Sequence, residues 1–136
     1  MRIEPSIESF GALHDQGRPT VVWTTLVADL ETPVSAYMKI ASGRDHCILL
    51  ESVEGGAVRG RYSMIAFDPD VVFRARGEAG EINRRFAVDR TAFTPVEGRS
   101  LDVLRALVHE GEFEMPAGLP PMSAGMFGYL GYDMVR

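Results

Sequence analysis

Two short runs of strand-forming residues, separated by a glycine-rich break, constrain the fold of this chain most. The first run covers residues 48–50 and the second covers residues 62–67. Between them lie Gly55, Gly56 and Gly60, which permit backbone angles that residues with a Cβ atom resist. Apolar and β-branched residues on both sides of such a break predict two adjacent strands joined by a turn. A small ligand can approach the main chain closely at glycines of this kind.

Helices are predicted where capping residues precede apolar residues at helical spacing. Ser6 is placed to cap a first helix that Gly17 ends. Thr32 followed by Pro33 predicts the start of a second helix, because the first helical position needs no N–H donor. A third helix is predicted over residues 100–111. The stripe that would face the core in this third helix is Leu101, Leu104, Leu107 and Val108.

Further strands are predicted from β-forming composition. Residues 20–28 are predicted to form a largely buried strand, and residues 123–135 an apolar strand containing three glycines. Residues 71–76 and 81–88 are predicted to pair as a hairpin, followed by an irregular connection over residues 89–99. Helices interspersed in a mostly antiparallel sheet predict an α+β fold, with residues 1–136 forming one domain.

Composition excludes several classes of function. The chain has 136 residues, of which 46% are hydrophobic and 24% charged, as in ordinary globular domains. A net charge of -5 argues against a nucleic-acid partner or an acidic membrane surface, since phosphate groups bind to concentrated positive charge. We expect no signal peptide and no membrane span. With Cys47 as the single cysteine, the predicted location is the cytoplasm.

The residues alone predict no catalytic or metal-binding set. The histidines and the cysteine match no ligand spacing, because His46 and Cys47 are adjacent and would point to opposite faces of a strand. The acidic residues around the central strands are interpreted as turn and surface residues: Glu51, Glu54, Asp68 and Asp70. The arginines near the predicted hairpin are interpreted as a solvated face: Arg74, Arg76, Arg84 and Arg85.

Three motifs in the same order resemble a known family. The first is Leu-Leu-Glu-Ser at residues 49–52, followed by Gly-Arg-Tyr-Ser at residues 60–63. The second is Ala-Asp-Leu-Glu-Thr-Pro-Val-Ser-Ala-Tyr at residues 28–37. The third is Gly-Met-Phe-Gly-Tyr-Leu-Gly-Tyr-Asp at residues 125–133. Together they are similar to the N-terminal region of the anthranilate synthase component I family, one of the chorismate-utilising enzymes.

The resemblance implies an effector site in this chain. In that family the segment matching Leu50, Glu51 and Ser52 lines the feedback site for L-tryptophan, and the match is most specific at Ser52. Arg61 and Tyr62 are weaker candidates on the neighbouring strand. From the residues alone, the same stretch is a strand end with a turn serine. The resemblance places no catalytic residue, metal or cofactor here, and assigns Mg²⁺ to a catalytic half beyond residue 136.

The resemblance also implies a reaction and partners. Such an enzyme converts chorismate and glutamine or ammonia into anthranilate and pyruvate, with a glutamine amidotransferase component II. We expect this chain to be an inactive N-terminal fragment of a larger α/β sandwich. We also expect it to pack against its own C-terminal catalytic half and to self-associate without it. Two alternatives stay open: an aminodeoxychorismate synthase component I of the folate pathway, and a stand-alone binding module.

Overall fold

Helices and small antiparallel sheets alternate along the chain, in a computed structural model that describes residues 2–51, 62–120 and 122–135. The helices are α1 (Ile7–Asp15), α2 (Pro33–Ile40) and α3 (Ser100–Glu110), with a 3-10 turn at Tyr132–Val135. The strands are β1 (Ile48–Glu51), β2 (Ser63–Ala66), β3 (Val72–Arg76), β4 (Ala79–Asn83) and β5 (Thr94–Val96). This is the α+β arrangement that the sequence predicts.

The described strands form two antiparallel sheets. β1 pairs with β2, so that Leu50 lies opposite Met64 and Glu51 lies opposite Ser63. The predicted central pair is therefore confirmed, and its predicted glycine-rich turn falls outside the described residues. The second sheet has the order β3-β4-β5. Its first hairpin turns at Gly77, whose φ of 60° lies in the left-handed region that glycine adopts without strain.

Capping interactions begin the first two helices at the predicted residues. The Oγ of Ser6 accepts a hydrogen bond from the backbone N–H of Ser9 at 3.3 Å. At α2 the Oγ1 of Thr32 accepts from the N–H of Ser35 at 3.1 Å, and the Oγ of Ser35 accepts from the N–H of Thr32 at 2.9 Å. This reciprocal capping box satisfies two backbone donors that the helix leaves unbonded. α2 packs against both β1 and β2.

Apart from Ala41 at the end of α2, the buried side chains of the described residues lie on β4, in the turn after it and on α3. Ile82, Phe86 and Leu107 are buried, and Asn83 is fully enclosed. The Nδ2 of Asn83 donates to the backbone oxygen of Asp89 at 2.7 Å, and its Oδ1 accepts from the N–H of Arg85 at 2.8 Å. A buried amide is tolerated here because both of its polar ends are bonded.

Two predicted strands are wrong within the described residues. Residues 20–28 are irregular except for an isolated bridge between Trp23 and Glu4, and residues 123–131 are irregular up to the terminal 3-10 turn. β-forming side chains need a neighbouring strand, and composition does not supply one. In these segments the side chains of Val27 and Tyr129 are 88% and 95% exposed.

The bounds of the predicted hairpin were also wrong. β4 ends at Asn83, because the Asn83 side chain bonds to the backbone of Arg85 and starts a turn over residues 84–88. Arg84 and Arg85 therefore lie in that turn and not on a hairpin face. The predicted irregular connection contains β5, where Pro95 is accommodated because β5 is the edge strand of its sheet.

Candidate functional site

The predicted effector residues that the structure describes gather at one end of the β1–β2 pair. Leu50 and Glu51 are the last residues of β1, and Tyr62 directly precedes β2. All three are exposed. Ser52 and Arg61, the two remaining predicted residues, lie outside the described part of the chain.

Leu50 and Glu51 lie on opposite faces of the pair, because successive side chains alternate along a strand. Leu50 shares its face with Met64, and Glu51 shares the other face with Ser63. One ligand can reach both only around the strand end. Leu50 and Tyr62 are 42% and 45% exposed, so this end presents apolar surface beside a carboxylate.

The opposite end of the pair is fastened by the segment between α2 and β1. Arg44 forms an ion pair with Asp68, which follows β2, and its guanidinium lies 5.1 Å from the centre of the Phe67 ring. The Sγ of Cys47 lies 3.6 Å from the backbone oxygen of the buried Ala41 at the end of α2. β1 and β2 are thus anchored at one end, and the candidate site lies at the other.

A cleft of about 390 Å³ opens near the anchored end. Its lining residues are Asp68, Pro69, Phe86, Ala87 and Arg90. The backbone of Asp68 has a φ of 48°, which is uncommon for a residue with a side chain. Sequence reasoning interpreted Asp68 as a turn residue and missed Phe86 and Arg90, because no local pattern brings the segment after β2 to the turn after β4.

Two surface ion pairs lower carboxyl pKa values elsewhere in the molecule. Hydrogen bonds from Lys39, and secondarily from Ser35, lower the pKa of Glu31 at the start of α2. Hydrogen bonds from Arg84 lower the pKa of Glu110 at the end of α3. The first pair lies along α2, the second connects the turn after β4 to α3, and both lie outside the candidate site.

Neither a metal-holding group of side chains nor a membrane-spanning helix occurs in the described part of the chain. In residues 2–51, 62–120 and 122–135, no three His, Cys, Asp or Glu side chains are grouped so that they could hold a metal ion. Within the same residues, every helix is too short or too polar to cross a bilayer.

Known proteins resemble this chain over almost its whole length. The anthranilate synthase component 1 of Cereibacter sphaeroides is 50% identical over 131 residues, which are 96% of this chain and 26% of that protein. The protein of the same name from Synechocystis is 39% identical over 98% of this chain and 26% of its own length. That of Mycolicibacterium smegmatis is 38% identical over 96% of this chain and 24% of its own length.

The chain is homologous to the N-terminal region of anthranilate synthase component 1. It spans about a quarter of the length of the anthranilate synthase component 1 proteins that it matches. No protein-family model matches the chain, and no solved structure matches it significantly. The resemblance predicted from the three motifs is confirmed, and the matched region includes the strand end at Leu50 and Glu51.

Proposed function

We propose that this chain is the N-terminal, effector-binding region of an anthranilate synthase component 1, in which the end of β1 and β2 contributes to a feedback site for L-tryptophan. The names of the homologues support the enzyme class. One structural observation carries the regulatory part of the proposal. Leu50 and Glu51 end β1 as exposed residues, next to Tyr62, and so are available to a ligand.

The chemistry of this strand end suits an amino acid with a large side chain. Such a ligand needs apolar surface for its side chain and polar groups for its ammonium and carboxylate. Leu50 and Tyr62 offer apolar and aromatic surface, and the carboxylate of Glu51 can accept hydrogen bonds from an ammonium. Ser52, the next residue in sequence, adds a hydroxyl that can donate or accept.

In this proposal, the rest of the protein carries the reaction. The whole enzyme converts chorismate and glutamine or ammonia into anthranilate and pyruvate in the cytoplasm. Its catalytic residues, its Mg²⁺ site and its contacts with a glutamine amidotransferase lie beyond the present chain, which alone is inactive. Tryptophan then binds one arrangement of the N-terminal and catalytic regions better and shifts the population towards it. The strength of inhibition is set by the coupling free energy between the two sites.

The test is calorimetric titration of L-tryptophan into the whole protein, with anthranilate formation followed in parallel. Ser52→Ala and Glu51→Gln should each weaken binding and inhibition about fivefold or more and leave the uninhibited rate unchanged. Ser42→Ala and Glu97→Gln, which replace exposed residues away from the strand end, are the matched controls.

Each other outcome removes a defined part of the proposal. An enzyme that makes anthranilate but neither binds tryptophan nor responds to it retains the enzyme class and loses the regulatory role. Formation of aminodeoxychorismate instead of anthranilate would overturn the enzyme class itself.

A further inference from the structure

The cleft near the anchored end of β1 and β2 is large enough to hold a small molecule. Its volume of about 390 Å³ falls within the usual range for ligand sites, roughly 300–1,000 Å³. One wall is the segment after β2, and the other is the turn after β4. The backbone N–H of Phe86 donates to the backbone oxygen of Asp70 at 3.1 Å, which ties the two walls together.

Phe86 forms a rigid base beneath the cleft. Its side chain is only 4% exposed, although it belongs to the lining. The rings of His46 and Phe93 pack edge-on against it, with centroid distances of 4.6 Å and 6.2 Å. The guanidinium of Arg90 lies 5.8 Å from the centre of the Phe86 ring. A wall packed in this way is already in place when a ligand arrives, so little ordering is required on binding.

The lining carries one charge of each sign, and each charge is oriented by a partner in the segment between α2 and β1. Asp68 pairs with Arg44, and the Nη1 of Arg90 donates to the Oδ2 of Asp45 at 2.9 Å. A carboxylate has about four lone-pair sites and a guanidinium has five N–H donors. The two ion pairs therefore position Asp68 and Arg90 and leave bonding capacity for a ligand.

We propose that this cleft binds a small zwitterion with an apolar arm. Its anionic group bonds to Arg90, its cationic group bonds to Asp68, and its arm lies against Pro69 and Ala87, the more accessible apolar residues of the lining. A ligand with both charges gains from both walls, whereas a pure anion or cation meets one opposite and one like charge. The site shares no residue with the strand end at Leu50 and Glu51, so it stands independently of the effector site proposed above.

L-Phenylalanine is the probe, because it combines both charges with an apolar arm. Phenethylamine lacks its carboxylate and 3-phenylpropionate lacks its ammonium, so they are matched ligands for calorimetric titration into the whole protein. We expect L-phenylalanine to bind at least about fivefold more tightly than phenethylamine or 3-phenylpropionate. Asp68 and Arg90 are about half exposed, so water screens each charge. Tight binding therefore needs both charged contacts and the contact of the apolar arm.

Conservative variants identify the two charges. Asp68→Asn and Arg90→Gln should each weaken L-phenylalanine binding about fivefold or more. Asp68→Asn should also remove the preference for L-phenylalanine over 3-phenylpropionate, since the repulsion of the anion disappears. Arg105→Gln, at an exposed arginine that pairs with Asp102 on α3, is the matched control and should bind like the wild type.

Three results with these ligands and the two cleft variants would overturn the proposal. They are no binding of L-phenylalanine at millimolar concentration, equal binding of the three ligands, and binding that both cleft variants leave unchanged. The titration is repeated in Ser52→Ala, where lost binding would place the ligand at the strand end instead. Amide hydrogen exchange with and without L-phenylalanine locates the binding site. Protection of residues 66–92 supports the cleft, and protection confined to other peptides contradicts it.

Discussion

Arg84 and Glu110 form a bidentate ion pair between the turn after β4 and the last turn of α3. The Nη1 and Nη2 of Arg84 donate to the Oε1 and Oε2 of Glu110 at 2.6 Å and 2.7 Å. Two parallel bonds fix the relative orientation of the groups as well as their distance. α3 also contacts β4. The ion pair therefore stabilises the solvent-exposed edge of the contact between this helix and its sheet.

This ion pair predicts that part of the unfolding free energy is lost at low pH. Hydrogen bonds from Arg84 lower the pKa of Glu110 in the folded chain. The contribution is therefore complete above the ordinary carboxyl pKa of about 4.3 and is lost as the pH falls through the lowered folded value. The gap in unfolding free energy between wild type and Glu110→Gln should shrink from about pH 6 to about pH 3 in urea titrations.

The control for this prediction is Glu97→Gln, which replaces an exposed acid after β5. A gap between wild type and Glu110→Gln that stays constant over the same pH range would show that Glu110 contributes by packing and not by its charge.

The enclosed amide of Asn83 predicts a large loss of stability on truncation. Asn83→Ala leaves the backbone oxygen of Asp89 and the N–H of Arg85 without their side-chain partner. The expected loss in unfolding free energy is about 2–3 kcal/mol, measured by urea denaturation. Gln16→Ala removes an exposed amide and should change it by less than about 0.5 kcal/mol. Equal effects of the two variants would refute the role assigned to Asn83.

Two glycine-to-alanine substitutions should have opposite effects. A Cβ at Gly80 would lie 3.0 Å from Phe73 Cε2 and 3.0 Å from Val96 Cγ2, so Gly80→Ala should destabilise by about 1–3 kcal/mol. A Cβ at Gly11, inside α1, meets no atom within 4 Å. Gly11→Ala should stabilise by up to about 1 kcal/mol, because alanine has the higher helix propensity. Thermal and urea unfolding of both variants check the signs, and a neutral Gly80→Ala would contradict the packing argument.

The capping box of α2 predicts a moderate effect. Thr32→Ala removes the oxygen that accepts from the N–H of Ser35 and should lower the unfolding free energy by about 0.5–2 kcal/mol. Thr25→Ala, at an exposed threonine outside any helix, is the control. Helical circular dichroism should fall in the first variant only, and loss of signal in both would show that neither effect belongs to the cap.

The elements that were predicted correctly carry their signals locally. Thr32 and Pro33 define the start of α2 by themselves, since both act on the adjacent turn. Residues 20–28 and 123–131 have strong β composition, but a strand also needs a partner, which is not encoded in the segment itself. β5 was missed because Pro95 argues against a strand except at a sheet edge, and the edge is a property of the assembled sheet.

The two candidate sites also differ in whether a local sequence signal predicts them. Leu50 and Glu51 were predicted from a contiguous motif, and the structure places them together at a strand end. Phe86 and Arg90 belong to a cleft that exists only because distant segments meet, as the pair between Arg90 and Asp45 illustrates. No spacing rule could have selected them.

The pairing of Leu50 with Met64 and of Glu51 with Ser63 limits where the chain can change in length during evolution. The register of the described pairs is set by residues 48–51 and 63–66. One residue inserted within β1 would exchange the faces of every side chain on one side of the insertion. Length changes among homologues are therefore expected between Glu51 and Tyr62 and not inside either strand.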